Sequence, residues 1–148
     1  MNWKQEAKEH LAAYESNRSA LRNMELLVKE MEMDIYSPPS QKLDAPIRGR
    51  GADPEEFRLN RLVTLETLRS RIRQIKIWLA AVDGALRAMS QEERLILFRF
   101  FIRPEQGAAE QLCQELNLER TTVYRMRDKS LERFTLALYG IDQPLLRQ

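Results

Sequence analysis

The sequence predicts an all-α protein, and three observations lead to this prediction. Apolar residues recur at three- and four-residue spacing along most of the 148 residues, as they do on the buried face of a helix. Charged residues make up 31% of the chain against five glycines, a balance typical of long solvated helices. No segment alternates apolar and polar residues as a half-buried strand does. Two breaks in the helical pattern set the order of the elements.

The first break is the segment SPPSQKLDAPIRGRGADP, residues 37–54, which contains four of the six prolines. Proline lacks a backbone donor and obstructs the turn that precedes it, so no helix passes through this segment. We interpret it as a linker inside an N-terminal domain, residues 1–89. The second break is the short segment 104–107, which lies inside a C-terminal domain, residues 90–148.

Long apolar stripes flank the linker. Before it, the three- and four-residue spacing extends from Trp3 to Ile35 with an interruption at Arg18. After it, a heptad seam extends from Leu65 to Met89 over about three and a half repeats. Such stripes bury each other either as an antiparallel hairpin within one chain or against their copies in a second subunit. The sequence therefore predicts a long helical hairpin or coiled coil. If the stripes pair between subunits, the protein is a homo-oligomer through these helices.

The C-terminal domain is predicted to contain three shorter helices. Ser90 and Glu93 match a capping box, in which each side chain accepts a hydrogen bond from the other residue's backbone amide. Gly140 fits a C-terminal cap. The helices are expected over Ser90 to about Ile102, roughly Ala108–Leu116 and about Arg120 to Tyr139. Their inward faces are expected to comprise Leu95, Leu97, Phe98, Phe101 and Ile102, then Leu112, Cys113 and Leu116, then Val123, Met126, Ser130, Leu131, Phe134, Ala137 and Leu138.

The turn before the last helix matches a helix-turn-helix. This motif needs a small residue where the helices cross, a residue that tolerates left-handed φ, an apolar plug and an early apolar residue in the second helix. Cys113, Asn117, Leu118 and Val123 meet these requirements in order. Asparagine adopts the left-handed conformation at lower cost than most residues. The spacing fits a second helix that enters the major groove of DNA by its N-terminal end.

The outward face of this last helix carries the candidate DNA-binding residues. At 100° per residue from Val123, Thr121, Arg125 and Asp128 point away from the core, whereas Arg127 falls nearer the packed side. Arginine and threonine are good partners for base edges and phosphates. The six candidates are Arg120, Thr121, Thr122, Tyr124, Arg125 and Lys129. The alternative is the solvated end of a three-helix bundle, because turn matches of this kind are often false positives.

Two stretches carry a resemblance to a known family. SQEERLILFRFFI and EQLCQELNLERTTVYRMRDKSLERFTLALYG are similar to region 4 of the sigma-70 family, in which a glutamate-rich capped helix precedes a helix-turn-helix. More closely, the chain resembles the ArpU/RinA-type phage transcriptional regulators over about residues 40–141, with DAPIRGRG, MSQEER and LERFTLALYG among the similar segments. Glu119 departs from the pattern where a serine cap is usual, and Asn117 where glycine is frequent.

This resemblance implies a sequence-specific DNA-binding transcriptional regulator, a sigma-like activator of phage or prophage late genes. It implies double-stranded DNA and RNA polymerase as partners, and a place at the nucleoid in the cytoplasm of a bacterial host. The chain has no evident counterpart of the sigma segment that melts the promoter. We therefore expect it to assist a sigma factor or to substitute for one only in part.

Nothing in the sequence indicates an enzyme. The carboxylates are not paired with a histidine, a serine or a phosphate-cradling loop, and Cys113 has neither a second thiol nor a base implied nearby. The longest apolar run is far shorter than the ~20 residues of a membrane span. We expect no catalytic residues, no metal ligands, no cofactor and no membrane contact.

A rival prediction from another class is a coiled-coil protein-interaction module, an anti-activator or adaptor that does not bind DNA. Salt-sensitive association with DNA distinguishes the two, since the rival predicts none. A repressor dimer shares the DNA chemistry but would bind a palindrome with half-sites about one helical turn apart. In the linker, Arg48 and Arg50 either lie in a mobile turn or enter a narrow minor groove.

Overall fold

The computed structural model describes residues 2–36 and 53–140, and within these ranges the chain is helical without a strand. The prediction of an all-α fold is confirmed. The linker prediction for residues 37–54, with Arg48 and Arg50, lies almost entirely outside the described residues. The elements are α1 (Trp3–Tyr36), α2 (Pro54–Arg87), α3 (Gln91–Leu97), a π-helical turn that continues α3 (Phe98–Ile102), α4 (Ala108–Leu116) and α5 (Arg120–Tyr139).

Local side-chain chemistry sets the helix ends. Asp53 precedes α2 and accepts a hydrogen bond from the amide of Glu55 at 3.0 Å, while Pro54 occupies the first helical position, where its missing donor costs nothing. At α3 both halves of the predicted capping box form: the Glu93 amide donates to Ser90 Oγ at 3.2 Å and the Ser90 amide to Glu93 Oε1 at 3.1 Å. Gly140 ends α5 with φ of 65°, as predicted.

The chain divides into two compact units. The core unit comprises Met1–Arg18 and Trp78–Gln148, and the two-helix unit comprises Ser19–Ile77. Both α1 and α2 therefore contribute one part to each unit. We predicted a domain boundary between residues 89 and 90, but the packing divides the chain within α1 and within α2. The reason is that the first part of α1 and the last part of α2 join the core of the C-terminal helices.

The main cluster of the core unit shows why the boundary shifts. Residues from both long helices pack with residues of α3, the π-helical turn and α5 in one apolar cluster. Without the long helices, the faces of α3 and α5 that they cover would lie in water, at a cost of roughly 25 cal/mol per Å² of apolar surface. The buried members are Ala7, Leu11, Val82, Ala85, Leu86, Met89, Leu97, Ile102, Leu131 and Phe134.

A second cluster of the core unit lies on the other side of α3. Ile96 is fully buried there against Leu112 of α4 and Val123 of α5, and Phe100 packs at its edge. The single inward face predicted for this helix omitted Ile96 and Phe100, because α3 and its π-helical turn are buried between two clusters. The predicted inward position of Ala137 on α5 is wrong, since that residue is exposed.

In the two-helix unit, α1 and α2 pair as an antiparallel hairpin. Met31 and Ile35 pack against Leu65 in an apolar cluster, with Val28 and Leu68 at the edge. Three ion pairs cross between the helices, and residue numbers fall along α1 as they rise along α2. The pairs are Asp34 with Arg61, Glu32 with Arg69 and Glu25 with Lys76. Of the two pairings that the stripes allow, the structure has the one within the chain.

Candidate nucleic-acid interface

The turn between α4 and α5 has the conformation that its sequence predicts. Asn117 ends α4 with φ of 54° and ψ of 50°, and no other non-glycine residue in the described ranges has a positive φ. Asparagine tolerates this left-handed conformation better than most residues. The amide of Leu118 donates to the carbonyl oxygen of Cys113 at 3.1 Å, which closes the turn and brings the chain directly into α5.

Packing then sets the orientation of α5. Val123 is fully buried against Leu112 and Ile96, while Leu118 and Cys113 are half-buried at the edge of the same cluster. Asn117 and Val123 therefore have the backbone conformation and the burial that the motif requires of them. Because the first turns of α5 are held on the Val123 side, the opposite side of the helix faces water.

That exposed side of α5 presents a row of one hydroxyl and two cations. Thr121, Arg125 and Lys129 are four residues apart and so lie along one face of the helix. All three are exposed, and none of their side chains makes a hydrogen bond or an ion pair with another described residue. Thr122 is half-buried beside this row. We call Thr121, Arg125 and Lys129 the outer row.

Arg120 and Tyr124, the other two candidates, lie on the flank of α5 that faces α4. The Arg120 guanidinium lies 5.7 Å from the centroid of the Tyr124 ring and pairs with Glu110 of α4 at 3.2 Å. A side-chain hydrogen bond with Tyr124, and then the charge of Glu110, raise the pKa of Arg120 above its ordinary value. The structure brings four candidates to the outward side, pairs Arg120 with α4 and packs Tyr124 beside Phe100 of the π-helical turn.

Arg127 occupies the packed side that its helical position predicts. Its guanidinium lies 4.9 Å from the centroid of Tyr124 and 5.5 Å from that of Phe100, distances at which a cation is attracted to an aromatic face. It also donates to Asp128 at 3.0 Å. The charge of Asp128, which points outward, is therefore compensated by a neighbour, and the positive charge of Arg125 and Lys129 is not.

Beyond Lys129, the next charged groups of α5 are paired. Arg133 contacts Glu93 of α3 at 2.5 Å, and Glu132 contacts Lys4 of α1 at 2.9 Å. Free positive charge is therefore confined to the first half of the helix. This is the half that enters the major groove in helix-turn-helix proteins.

The N-terminus of α5 is open. Glu119 has an extended backbone, with φ of −74° and ψ of 153°, and its side chain makes no capping hydrogen bond. The first amides of a helix have no intrahelical acceptor, and the helix dipole makes their environment favourable for an anion. The absence of a serine cap, which is the departure seen in the sequence, leaves these amides free of a side-chain acceptor.

Two supporting residues were missed by the sequence reasoning. Arg99, in the π-helical turn, donates to Gln111 at 2.8 Å and to Glu115 at 2.7 Å, both on α4. Phe100 packs beside Tyr124, with 5.8 Å between ring centroids. Together they hold α4 and the first turns of α5 in place. Both residues follow the apolar run of α3 in sequence, which gives only a weak indication of their role. In a π-helical turn the side chains are spaced differently around the axis, so α-helical periodicity misplaces them.

Comparisons with known proteins leave the family open: no family model, no curated protein and no solved structure matches this chain. Within residues 2–36 and 53–140, no group of three or more histidine, cysteine, aspartate or glutamate side chains could hold a metal ion. In the same ranges, no helix has the length and apolar character to cross a membrane.

Proposed function

We propose that this chain is a sequence-specific regulator of transcription that binds double-stranded DNA through α5. The observation that carries the proposal is the outer row, whose two cations have no partner in the described ranges and follow a left-handed turn at Asn117. The remaining charged groups of α5 are compensated by ion pairs, so the uncompensated positive charge of this helix is concentrated on the outer row.

In this proposal the first two turns of α5 lie in the major groove. Arg125, at the centre of the outer row, reads a base edge, and guanine is the base that arginine pairs with most often. Thr121, Thr122 and Lys129 bind phosphates or neighbouring bases. Arg120 and Tyr124 border the groove on the α4 side, where they contact the DNA backbone rather than specify sequence.

The resemblance to the ArpU/RinA-type regulators and to sigma region 4 supports a narrower proposal. The chain would be a sigma-like activator of phage or prophage late genes that acts with RNA polymerase at the nucleoid of a bacterial host. Transcription from a template that carries the selected site, measured with purified bacterial RNA polymerase with and without the protein, tests this part. Transcription that the protein lowers would assign a repressor instead.

Selection of bound sequences from a random duplex library, followed by titration of the selected and a scrambled duplex, tests DNA binding. Arg125→Ala should weaken binding to the selected site by about 1–3 kcal/mol, or roughly five- to 150-fold. The loss on the scrambled duplex should be smaller. Arg133→Ala is the matched control on the same helix, and it should change binding much less because Arg133 is paired with Glu93.

Each alternative has its own outcome in this experiment. Equal losses on both duplexes would make Arg125 a phosphate contact. Enrichment of a palindrome with half-sites about one helical turn apart would indicate a dimer. If no sequence is enriched and binding to duplex DNA has no salt dependence, the protein-interaction module without DNA binding replaces this proposal.

A further inference from the structure

The exposed apolar side chains of the protein are concentrated in the two-helix unit. Seven large apolar residues are exposed in the described ranges, and all seven fall between Ser19 and Ile77. Contiguous exposed apolar surface marks an interaction site more often than single exposed residues do, and one of the seven, Leu26, lines a groove of this unit. The residues are Leu26, Leu27, Met33, Leu59, Leu62, Val63 and Ile77.

A groove of about 570 Å³ lies between α1 and α2 within this unit. Its apolar floor consists of Leu26 and Val28 from α1 and Ile72 from α2. On each helix the lining extends over eight residues, from Arg22 to Lys29 and from Arg69 to Lys76. At ~1.5 Å per residue this is about two helical turns, which is the length that anchors at positions i, i+3 or i+4, and i+7 of a bound helix occupy.

Positive charge surrounds this floor. The lining contains five cations, Arg22, Lys29, Arg69, Arg73 and Lys76, and one carboxylate, Glu25. Two of the cations are compensated, since Arg69 pairs with Glu32 and Glu66, and Lys76 pairs with Glu25 at 3.3 Å. The other three, Arg22, Lys29 and Arg73, make no ion pair with a described residue.

We infer that this groove binds an acidic amphipathic helix of a protein partner, with its apolar side on Leu26 and Val28 and its carboxylates on Arg22, Lys29 and Arg73. An amphipathic helix that lays its apolar face into a groove uses both features at once. Carboxylates flanking that face add electrostatic complementarity, which selects the partner and speeds its association. The inference concerns the two-helix unit and does not depend on the proposed DNA contacts of α5.

Two other occupants fit the groove less well. A second copy of this chain would bring the same excess of cations against itself, because a two-fold interface places each surface patch on its own copy. A DNA backbone would satisfy the cations but leave the apolar floor, where Leu26 is 64% exposed, against phosphates. The pairing of an apolar floor with unpaired cations therefore favours an acidic helix.

The probe is a fluorescein-labelled peptide of about 20 residues, with leucines at helical spacing on one face and glutamates beside them. Anisotropy titrations of the full chain measure its binding. Two control peptides share its length: one with the same residues in scrambled order, and one with lysine in place of every glutamate. We expect saturable, salt-sensitive binding of the acidic peptide, and binding at least about tenfold weaker for both controls.

The chain offers matched control variants. Leu26→Ser, in the groove, pairs with Leu27→Ser, since Leu27 is also exposed but does not line the groove. Arg73→Glu pairs with Arg71→Glu for the same reason. The groove variants should weaken peptide binding by about fivefold or more, and the controls by less than about twofold. Circular dichroism melts verify that all four variants remain folded.

Four results would overturn the inference. The first is no saturable binding of the acidic peptide up to about 1 mM. The second is equal binding of the lysine peptide, and the third is equal losses in the groove and control variants. The fourth is a different occupant, shown either by self-association in sedimentation that Leu26→Ser abolishes, or by loss of duplex DNA binding in Arg73→Glu without loss of peptide binding. In the first three, DNA binding through α5 would be unaffected.

Discussion

The core unit and the two-helix unit are built from the same two long helices, yet they differ in how completely those helices are buried. In the core unit, Leu11, Val82 and Phe134 are among many side chains that water does not reach. In the two-helix unit, Leu65 alone belongs to the largest fully buried side chains of the described ranges. The stripes continue through both units, so the difference arises from α3 and α5, which cover the long helices in one unit only.

This difference has consequences for stability. A core residue covered on all sides contributes through burial and close packing. The described residues of the two-helix unit form one apolar seam and three interhelical ion pairs. The side chains of these pairs are between 31% and 60% exposed. Exposed ion pairs contribute about 0–1 kcal/mol each. The two-helix unit should therefore be the part of the chain that opens first, and the part that gains most from a partner.

The largest expected effect concerns the core unit. Phe134→Ala should lower the free energy of unfolding by about 3–5 kcal/mol, because the side chain is fully buried and its removal leaves a cavity. Urea denaturation monitored by circular dichroism measures the loss. Phe134→Leu, which keeps most of the volume, should cost less than half as much. A loss below about 1 kcal/mol in Phe134→Ala would show that the two units do not differ in packing as described.

A charge placed in the seam of the two-helix unit should have an intermediate effect. Ile72 is 9% exposed and Ile77, five residues later on the same helix, is 73% exposed. Ile72→Asp should lower the free energy of unfolding by about 2–4 kcal/mol, since it loses apolar burial and desolvates a carboxylate. Ile77→Asp should change it by less than about 0.5 kcal/mol. Equal melting curves for the two variants would contradict intrachain pairing of the stripes.

The smallest expected effect concerns a hydrogen bond in the core unit, as distinct from its buried apolar side chains. Burial, and then the hydrogen bond that Tyr14 donates to Asp83, raise the pKa of Tyr14 above its ordinary value. The protonated hydroxyl of Tyr14 therefore stabilises the folded state fully below about pH 10, which is the pKa of tyrosine in the unfolded chain. This stabilisation is lost as the pH rises through the pKa of Tyr14 in the folded state. Tyr14→Phe should cost about 0.5–1.5 kcal/mol at pH 7 and flatten the decline in stability above about pH 10.

Tyr139→Phe is the control for this hydrogen bond at pH 7. The Tyr139 hydroxyl lies 3.4 Å from His10 Nδ1, a distance at which a hydrogen bond is weak. Its removal should cost less than the removal of the Tyr14 hydroxyl. If the two variants lose the same stability, the contact with Asp83 contributes nothing beyond the burial of the ring.

Much of the local structure could be predicted because it depends on residues close in sequence. The capping box at Ser90, the left-handed turn at Asn117 and the cap at Gly140 each follow from one or two side chains and the backbone next to them. The bounds of α4 and α5 match their predictions for the same reason. The outward position of Arg125 also follows, since Val123 sets the angle of the helix.

Other features depended on contacts between distant residues. The engagement of Arg120 with Glu110 and the stacking of Arg127 on Phe100 need α4 and the π-helical turn in place. Helical periodicity reports one buried face, so it could not show that α3 is buried on two sides, with Ile96 in one cluster and Leu97 in the other.

The helical fold, the positions where most helices begin and end, and the outward face of α5 all follow from the amino-acid sequence. These properties are local, because hydrogen bonds within a helix and its caps join residues at most a few positions apart. The packing of the whole chain was needed to show that α1 and α2 pair with each other and that the start of α1 and the end of α2 complete the core beneath α5. It was also needed to show that their middle parts leave an apolar, basic groove open. The burial of a side chain depends on every element that packs against it. An apolar stripe has the same sequence pattern whether one helix or three helices cover it, so the pattern does not report how deeply the stripe is buried.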